Sequence, residues 1–164
     1  MTQRTALILG ATGGIGGTMA RRLLAGGWRV RALTRTKAAS LADGCERVIG
    51  DAMNAASVIE AATGAEAIIH AVNPPGYRNW STLVLPMLDN TLAAARANGA
   101  RIVLPGTVYN FGADAFPLIA EDAPQRPHTA KGAIRVEMER RLAAAAEAGE
   151  AKVLIVRAGD YFGP

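Results

Sequence analysis

Cysteine is almost absent from this sequence, and so are the usual signals of a membrane or secreted protein. Cys45 is the single cysteine among 164 residues, which excludes an internal disulfide and gives no basis for a cysteine metal cluster. No run of apolar residues approaches the roughly 20 that span a membrane, and the first residues lack the pattern of a signal peptide. We therefore expect a cytoplasmic protein with no membrane association.

A strong charge of either sign is also missing. The sequence has 18 Lys and Arg against 14 Asp and Glu, for a formal charge of +4, and the basic residues are spread along the chain. Dispersed charge is typical of solvated helix faces, and without a basic stripe or a recognition motif we expect no nucleic-acid partner. A chain of this length buries roughly 70% of its unfolded surface, enough for one domain, residues 1–164.

Apolar strand-like runs alternate with helical patterns along the whole chain. Most of the runs are continuously apolar, as expected where both faces of a parallel sheet are covered. This alternation predicts the α/β class, with a doubly wound parallel sheet, right-handed crossovers and flanking helices, which is a Rossmann fold. The predicted strands are 5–10, 28–33, 46–50, 67–72, 101–105 and 152–157. The predicted helices are 14–26, 54–63, 79–98 and 128–148, with a short helical turn in 36–43.

A glycine-rich turn joins the first strand to the first helix. Gly10, Gly13 and Gly16 follow the strand in the spacing G-x-x-G-x-x-G. A strand, a bare turn and a helix N-terminus together form an anion site, because free N–H groups and the positive end of the helix dipole face a phosphate. No Gly-Lys-Ser/Thr follows, which excludes a nucleotide-triphosphate P-loop. The turn therefore predicts a dinucleotide cofactor, with candidate binding residues Gly10, Thr12, Gly13, Gly14, Ile15 and Gly16.

Acidic residues are missing at the end of the second strand, where an NAD site offers a carboxylate to the ribose. No Asp or Glu occurs before Asp43, and Arg35 comes two residues after the strand. An arginine pairs with a 2′-phosphate that a carboxylate would repel. Arg35, helped by Thr34 and Lys37, therefore favours NADP as the cofactor. NAD stays the alternative, since Arg35 is also compatible with a solvated loop.

The glycine turn and two later segments resemble the extended and atypical branches of the short-chain dehydrogenase/reductase superfamily, which include epimerases and dehydratases. Gly50-Asp51-Ala52 closes the third strand, and residues 68–74 close the fourth. The resemblance implies that Asp51 bonds the adenine edge, with the Ala52 backbone alongside, although Asp is also common in turns. It further implies that small residues after His70 line the cofactor, while His70 itself is a structural residue. Those lining residues are Ala71, Val72 and Asn73.

Catalytic members of this superfamily carry a Ser or Thr after the fifth strand and Tyr-x-x-x-Lys on the next helix. Matching Phe111-Gly112 to the family's Tyr-Gly places Thr107 at the hydroxyl position, where it would polarise a substrate oxygen. The family pattern Tyr-x-x-x-Lys-x-x-x-Glu falls on Lys131, Arg135 and Glu139. The spacing is kept and the tyrosine is missing.

The missing tyrosine leaves the proton donor open. Arg135 would hold the cofactor ribose, as the family lysine does. Lys131 would donate a proton only if burial or a neighbouring cation favoured its neutral form. Tyr109 is a second candidate acid, and its alternative is an aromatic packed beneath the helix.

The last residues, 153–164, resemble the family's Arg-Pro-x-x-x-x-Gly-Pro segment, which leads into a substrate lobe. Arg157-Ala158 replaces Arg-Pro, and we expect the chain to lack that lobe. The resemblance implies an NAD(P)-dependent oxidoreductase or epimerase acting on a small carbonyl or hydroxyl compound such as a sugar nucleotide. The alternative is an NADP-binding sensor or regulatory protein that has lost its catalytic acid. The family also implies a homodimer through helices 79–98 and 128–148.

Overall fold

The computed structural model describes residues 3–74, 76 and 78–159, and in this part of the chain six strands form one parallel sheet. The strands are β1 (Thr5–Leu9), β2 (Arg29–Thr34), β3 (Glu46–Ile49), β4 (Ala67–His70), β5 (Arg101–Thr107) and β6 (Lys152–Ala158). The helices are α1 (Gly14–Ala25), α2 (Ala55–Ala61), α3 (Trp80–Asn98) and α4 (Ala130–Glu147), and a short 3-10 helix spans Ala113–Ala115. The predicted α/β fold with its parallel sheet is confirmed.

The strand order is β3-β2-β1-β4-β5-β6, so the chain reverses its direction of travel across the sheet between β1 and β4. Leu9, near the end of β1, pairs with Leu33 on one side and His70 on the other. In open α/β sheets a crevice forms at such a reversal, outside the carboxyl ends of the strands. The glycine turn after β1 lies at this point.

Two apolar cores lie on the two faces of the sheet, because successive strand residues point to opposite sides. On one face, α1 covers β1, β2 and β4, with Ile8, Val30 and Ile69 at its centre. On the other face, α2, α3 and α4 cover Leu7, Leu104 and their neighbours. Both faces of the central strands are therefore buried, as the continuous apolar runs predicted.

The last strand, β6, is covered on one face only. Val153 and Ile155 of β6 pack toward α4, whereas Leu154 and Val156 are 48% and 53% exposed. Leu154 pairs with Val103, which adjoins the core beneath α1, so the exposed residues lie on the α1 side. Helix α1 itself packs over the other half of the sheet. An apolar strip of β6 therefore faces outward.

Glycines follow the ends of several helices, and the predicted helical turn in 36–43 is wrong. Gly27, Gly64, Gly99 and Gly149 have φ values between 66° and 79°, the left-handed conformation that glycine adopts at little cost. Residues 36–43 contain turns and irregular backbone instead of a helical turn. Arg47 of β3 donates to the carbonyls of Thr36 and Ala39, at 3.4 and 2.8 Å, so a side chain takes up groups that a helix would bond internally.

The fifth strand extends further than predicted and reaches Thr107. β6 pairs with it along its whole length, up to Thr107 opposite Ala158. Within the described residues, no helix combines the length and the apolar character needed to cross a bilayer.

Candidate functional site

The glycine turn is packed too closely for larger residues at two of its positions. Gly10 has φ +89°, and a Cβ there would lie 2.5 Å from the Ala71 carbonyl oxygen. A Cβ on Gly16 would lie 2.2 Å from the Gly10 carbonyl oxygen. Both distances are far below van der Waals contact. These glycines therefore allow β1, the turn and α1 to meet at the crevice.

The N-terminus of α1 has the features of an anion site. The N-cap is Gly13, and within the described residues no side chain caps the helix and no acidic residue occupies its first turn. Gly17 N–H donates to the Gly13 carbonyl at 2.8 Å, which leaves the N–H groups of residues 14–16 as the donors that a helix start does not use. A Cβ on Gly14 would meet nothing within 4 Å. A phosphate fits this open turn.

A cavity of about 450 Å³ opens beside the turn, at the carboxyl ends of β1 to β4. It contains nine of the twelve residues predicted to bind a cofactor: Gly10, Thr12, Gly13, Arg35, Asp51, Ala52, Ala71, Val72 and Asn73. The other three, Gly14, Ile15 and Gly16, form the start of α1 next to it. Sequence reasoning missed the apolar wall that Leu83 and Met87 of α3 contribute. Their i, i+4 spacing is the signal that marks one helix face.

Arg35 lies at the β2 end of the cavity and is exposed. Nearby arginines are already engaged: Arg29 pairs with Glu46 at 2.7 Å, and Arg31 donates to the Thr63 carbonyl at 2.5 Å. Thr34 donates to the Thr36 carbonyl at 3.1 Å, which fixes the backbone on either side of Arg35. Arg35 is therefore a guanidinium on a braced loop at the wall of the cavity.

Asp51 both stabilises a turn and lines the cavity. Its Oδ1 accepts from the Met53 N–H at 2.9 Å, as expected for an aspartate that stabilises a turn. The next residue is also fixed, because Asn90 of α3 donates its amide to the Ala52 carbonyl at 2.8 Å. The backbone that closes β3 is therefore held in place at the cavity edge.

His70, at the end of β4, is buried beneath the site. Its Nδ1 lies 2.8 Å from Thr91 Oγ1, and Thr91 itself donates to the Met87 carbonyl at 3.0 Å. Burial, and secondly the charge of Arg135, lower the pKa of His70 to about 3. The imidazole is therefore neutral near pH 7 and bonded to α3, in agreement with a structural role.

The four candidate catalytic residues lie at the carboxyl end of β5 and on α4, beyond the cavity wall. Thr107 is buried and its Oγ1 accepts from the Tyr109 N–H at 3.4 Å. Tyr109 is 47% exposed. The alternative prediction for this residue, an aromatic packed beneath the helix, is therefore wrong. Lys131, on the first turn of α4, is exposed.

Arg135 turns toward the protein. It is half-buried, donates to the Pro105 carbonyl at 3.5 Å, and places its guanidinium carbon 5.3 Å from the centre of the Trp80 ring. Trp80 in turn donates its indole N–H to Asn73 Oδ1 at 2.7 Å. A chain of contacts therefore joins α4 to the cavity wall.

Sequence reasoning missed a buried polar network behind these residues. Asn110, fully buried, donates to Gln125 Oε1 at 3.1 Å, and Gln125 donates to Glu139 at 2.7 Å. Arg157 pairs with the same Glu139 carboxylate. The motif alignment marked Glu139 and Arg157, but nothing in the sequence marked Asn110 or Gln125. The predicted terminal motif continues into 160–164, which lie outside the described residues.

Solved structures share this fold at low sequence identity. The glucuronic acid dehydrogenase of Chromohalobacter salexigens superposes with a TM-score of 0.83 and is 23% identical over 98% of this chain and 62% of its own. The UDP-glucose 4-epimerase of Brucella ovis, solved with NAD, gives 0.82 at 20% identity, over 96% of this chain and 52% of its own. The UDP-N-acetylglucosamine 4-epimerase of Bacillus cereus gives 0.80 at 18%, over 94% and 53%.

The amino-acid sequence also matches one curated relative and one family model. The uncharacterized protein y4nL of Sinorhizobium fredii is 28% identical over 96% of this chain, and the chain spans 51% of that relative's length. The NAD-dependent epimerase/dehydratase family, as a sequence model, matches residues 6–164. This agrees with the resemblance to the extended short-chain dehydrogenases. Since the match covers nearly the whole sequence, the chain belongs to the NAD-dependent epimerase/dehydratase family.

Proposed function

We propose that the chain binds a nicotinamide dinucleotide in the cavity at the carboxyl ends of β1 to β4, and that it prefers NADP(H) to NAD(H). The observation that carries this is the uncapped N-terminus of α1, which opens beside the cavity. The N–H groups of Gly14, Ile15 and Gly16 would hold the pyrophosphate. Asp51 and Ala52 would contact the adenine, and Ala71, Val72 and Asn73 the other half of the cofactor.

The preference for NADP(H) is supported by the charges around Arg35. Arg35 lines the cavity on a loop that Thr34 and Arg47 hold in place. The loop contains no carboxylate before Asp43, which does not line the cavity. A preorganised arginine fork pairs with a 2′-phosphate at little entropic cost. Lys37, exposed two residues further on, adds positive charge.

We propose an oxidoreductase or epimerase as the activity of the complete protein. A nicotinamide cofactor supplies or accepts hydride when bound. Thr107 would orient and polarise a substrate oxygen, and Tyr109 or Lys131 would exchange a proton with solvent and with that oxygen. General acid–base catalysis of this kind contributes about 10²- to 10⁴-fold. The similar solved proteins are UDP-sugar epimerases and a glucuronic acid dehydrogenase, which supports a small sugar derivative as substrate.

A second candidate function is a non-catalytic NADP(H) sensor. Its support is the missing tyrosine together with the exposure of Lys131. Two assays separate these functions, with Lys131→Ala and Tyr109→Phe as variants. The first follows NADPH oxidation against carbonyl compounds and NADP⁺ reduction against uronates, and the second follows epimer formation from UDP-sugars. Turnover that either substitution reduces supports the enzyme, and the absence of turnover alongside micromolar NADPH binding supports the sensor. Turnover unchanged in both variants contradicts the residue assignment.

We also propose that these residues form the cofactor-binding part of a longer protein with a substrate lobe. Two observations support this: the chain spans about half of the curated relative that it matches, and Leu154 and Val156 leave an apolar strip uncovered. A parallel sheet is ordinarily covered on both faces. A cytoplasmic location, expected from the single cysteine, and a homodimer through α3 and α4 are further proposals.

A further inference from the structure

We infer that Trp80 is a positioning residue for the cofactor: its indole orients the Asn73 amide so that Asn73 Nδ2 donates to the nicotinamide half. The inference rests on the proposed function, because it assigns a contact within the same cavity. Neither the glycine turn nor the family motif marks Trp80, and its indole was not among the predicted site groups.

The direction of the Asn73 amide follows from the chemistry of its partner. An indole nitrogen only donates hydrogen bonds, so the atom of Asn73 that lies 2.7 Å from Trp80 Nε1 is the carbonyl oxygen. This leaves the two Nδ2 hydrogens on the other side of the side chain. Asn73 is exposed and lines the cavity. The indole therefore presents a pair of donors to an oxygen-rich ligand.

Trp80 is held firmly enough to fix that orientation. It is the first residue of α3, is only 5% exposed and belongs to the larger apolar core. Arg135 lies 5.3 Å from its ring, and the same guanidinium donates to the Pro105 carbonyl. A cation over an indole face is an attractive contact. Arg135 at the family's lysine position therefore acts on the cofactor through Trp80 and Asn73.

The position of Asn73 selects the half of the cofactor. Asn73 follows β4, whereas Arg35 follows β2, and β1 with its glycine turn lies between these strands. With the pyrophosphate at the turn and the 2′-phosphate at Arg35, Asn73 lies on the opposite side of the turn. The donors of Asn73 therefore meet oxygens of the nicotinamide riboside half.

The test compares a whole cofactor with its adenine half by calorimetry. NADP⁺ contains both halves, and 2′,5′-ADP contains only the half at Arg35. In Trp80→Phe and Asn73→Ala we expect NADP⁺ to bind about fivefold to tenfold more weakly, the size of one hydrogen bond, with 2′,5′-ADP unchanged. Trp28→Phe is the matched control, since Trp28 is the other tryptophan and stacks on Arg4 away from the cavity. We expect it to bind both ligands normally.

Asn73→Asp separates donation by Asn73 from a merely structural role. Aspartate keeps an oxygen for the Trp80 N–H and removes the Nδ2 hydrogens. We expect unchanged Trp80 fluorescence in a Trp28→Phe background, weaker NADP⁺ binding, and 2′,5′-ADP binding close to normal. Normal NADP⁺ binding by this variant contradicts the inference.

The outcomes also distinguish this inference from the proposed function. Equal weakening of NADP⁺ and 2′,5′-ADP by Trp80→Phe overturns the inference, because Trp80 would then support the site as a whole. If the unaltered protein prefers NAD⁺, the same comparison uses NAD⁺ and AMP. Failure of the unaltered protein to bind any of these nucleotides contradicts the proposed function, and the inference with it.

Discussion

Gly132 of α4 lies directly against the backbone of Tyr109, so that a Cβ on Gly132 would come within 2.2 Å of the Tyr109 carbonyl oxygen. The first turn of α4 therefore rests on the loop that follows Thr107 and carries Tyr109. Thr129 caps this turn by accepting from the Gly132 N–H at 3.0 Å. The residue pair sets how the candidate catalytic groups of β5 and α4 face one another.

Gly132→Ala is expected to lower the free energy of unfolding by about 2 kcal/mol or more, because backbone must move to admit the methyl group. Gly14→Ala is the control in the same kind of position, the first turn of a helix. Its methyl group meets nothing within 4 Å, so we expect stability to be unchanged or raised by about 0.5 kcal/mol. Urea denaturation measures both, and equal stability of the two variants would contradict the close contact.

Glu139 and Glu137 offer a second matched pair on α4. Glu139 is buried and bonds Arg157 and Gln125, so Glu139→Gln leaves a partly buried arginine without its charge partner. We expect a loss of about 3 kcal/mol. Glu137 pairs with the exposed Arg140 and with the partly exposed Arg141 on the same helix. Because surface ion pairs contribute little, Glu137→Gln should cost about 1 kcal/mol. Chemical denaturation of both variants checks the difference, and a larger loss for Glu137→Gln would refute it.

The pH dependence of stability should report on His70. Its pKa is lowered to about 3 in the folded protein and returns to its ordinary value of about 6.5 on unfolding. Between these values the unfolded chain binds a proton that the folded chain does not. This titration therefore leaves the free energy of unfolding unchanged above about pH 6.5 and lowers it as the pH falls toward 3.

His70→Gln removes this titration, because a glutamine stays neutral throughout. We expect the variant to be less stable than the original at pH 7, because the substitution disturbs the buried contact with Thr91. We also expect it to lose less stability between pH 7 and pH 4. Denaturation curves across this range give both slopes. Parallel slopes in the two proteins would show that His70 is protonated equally in the folded and unfolded states.

The exposed strip of β6 tests the proposal of a longer protein. In the 164-residue chain, Leu154→Lys with Val156→Lys should change stability by less than about 1 kcal/mol, because both side chains are about half exposed. In a longer protein that covers the strip, the same change buries two charges and should cost several kcal/mol. Leu118→Lys, at an 87% exposed position, is the control in both. Equal tolerance in the longer protein would contradict the coverage.

The sequence predicted the sheet and the glycine turn because both depend on local patterns. Apolar runs and glycine spacing are read within a dozen residues, and nine predicted residues line one cavity. The irregular 36–43 segment escaped prediction because Arg47, from another strand, takes up its carbonyls. The Trp80–Asn73 bond and the Asn110–Gln125–Glu139 network join separate segments. Only the tertiary fold brings such groups together.

The most direct test of the account is calorimetric titration of the unaltered protein and of Arg35→Ala with NADP⁺ and NAD⁺. We expect the unaltered protein to bind NADP⁺ more tightly. Arg35→Ala should weaken NADP⁺ by about 10- to 100-fold, the size of a charge-assisted contact with the 2′-phosphate, and leave NAD⁺ within about threefold. Tighter binding of NAD⁺ by the unaltered protein, or equal losses for both nucleotides in the variant, would contradict the assignment of Arg35 and of the cofactor.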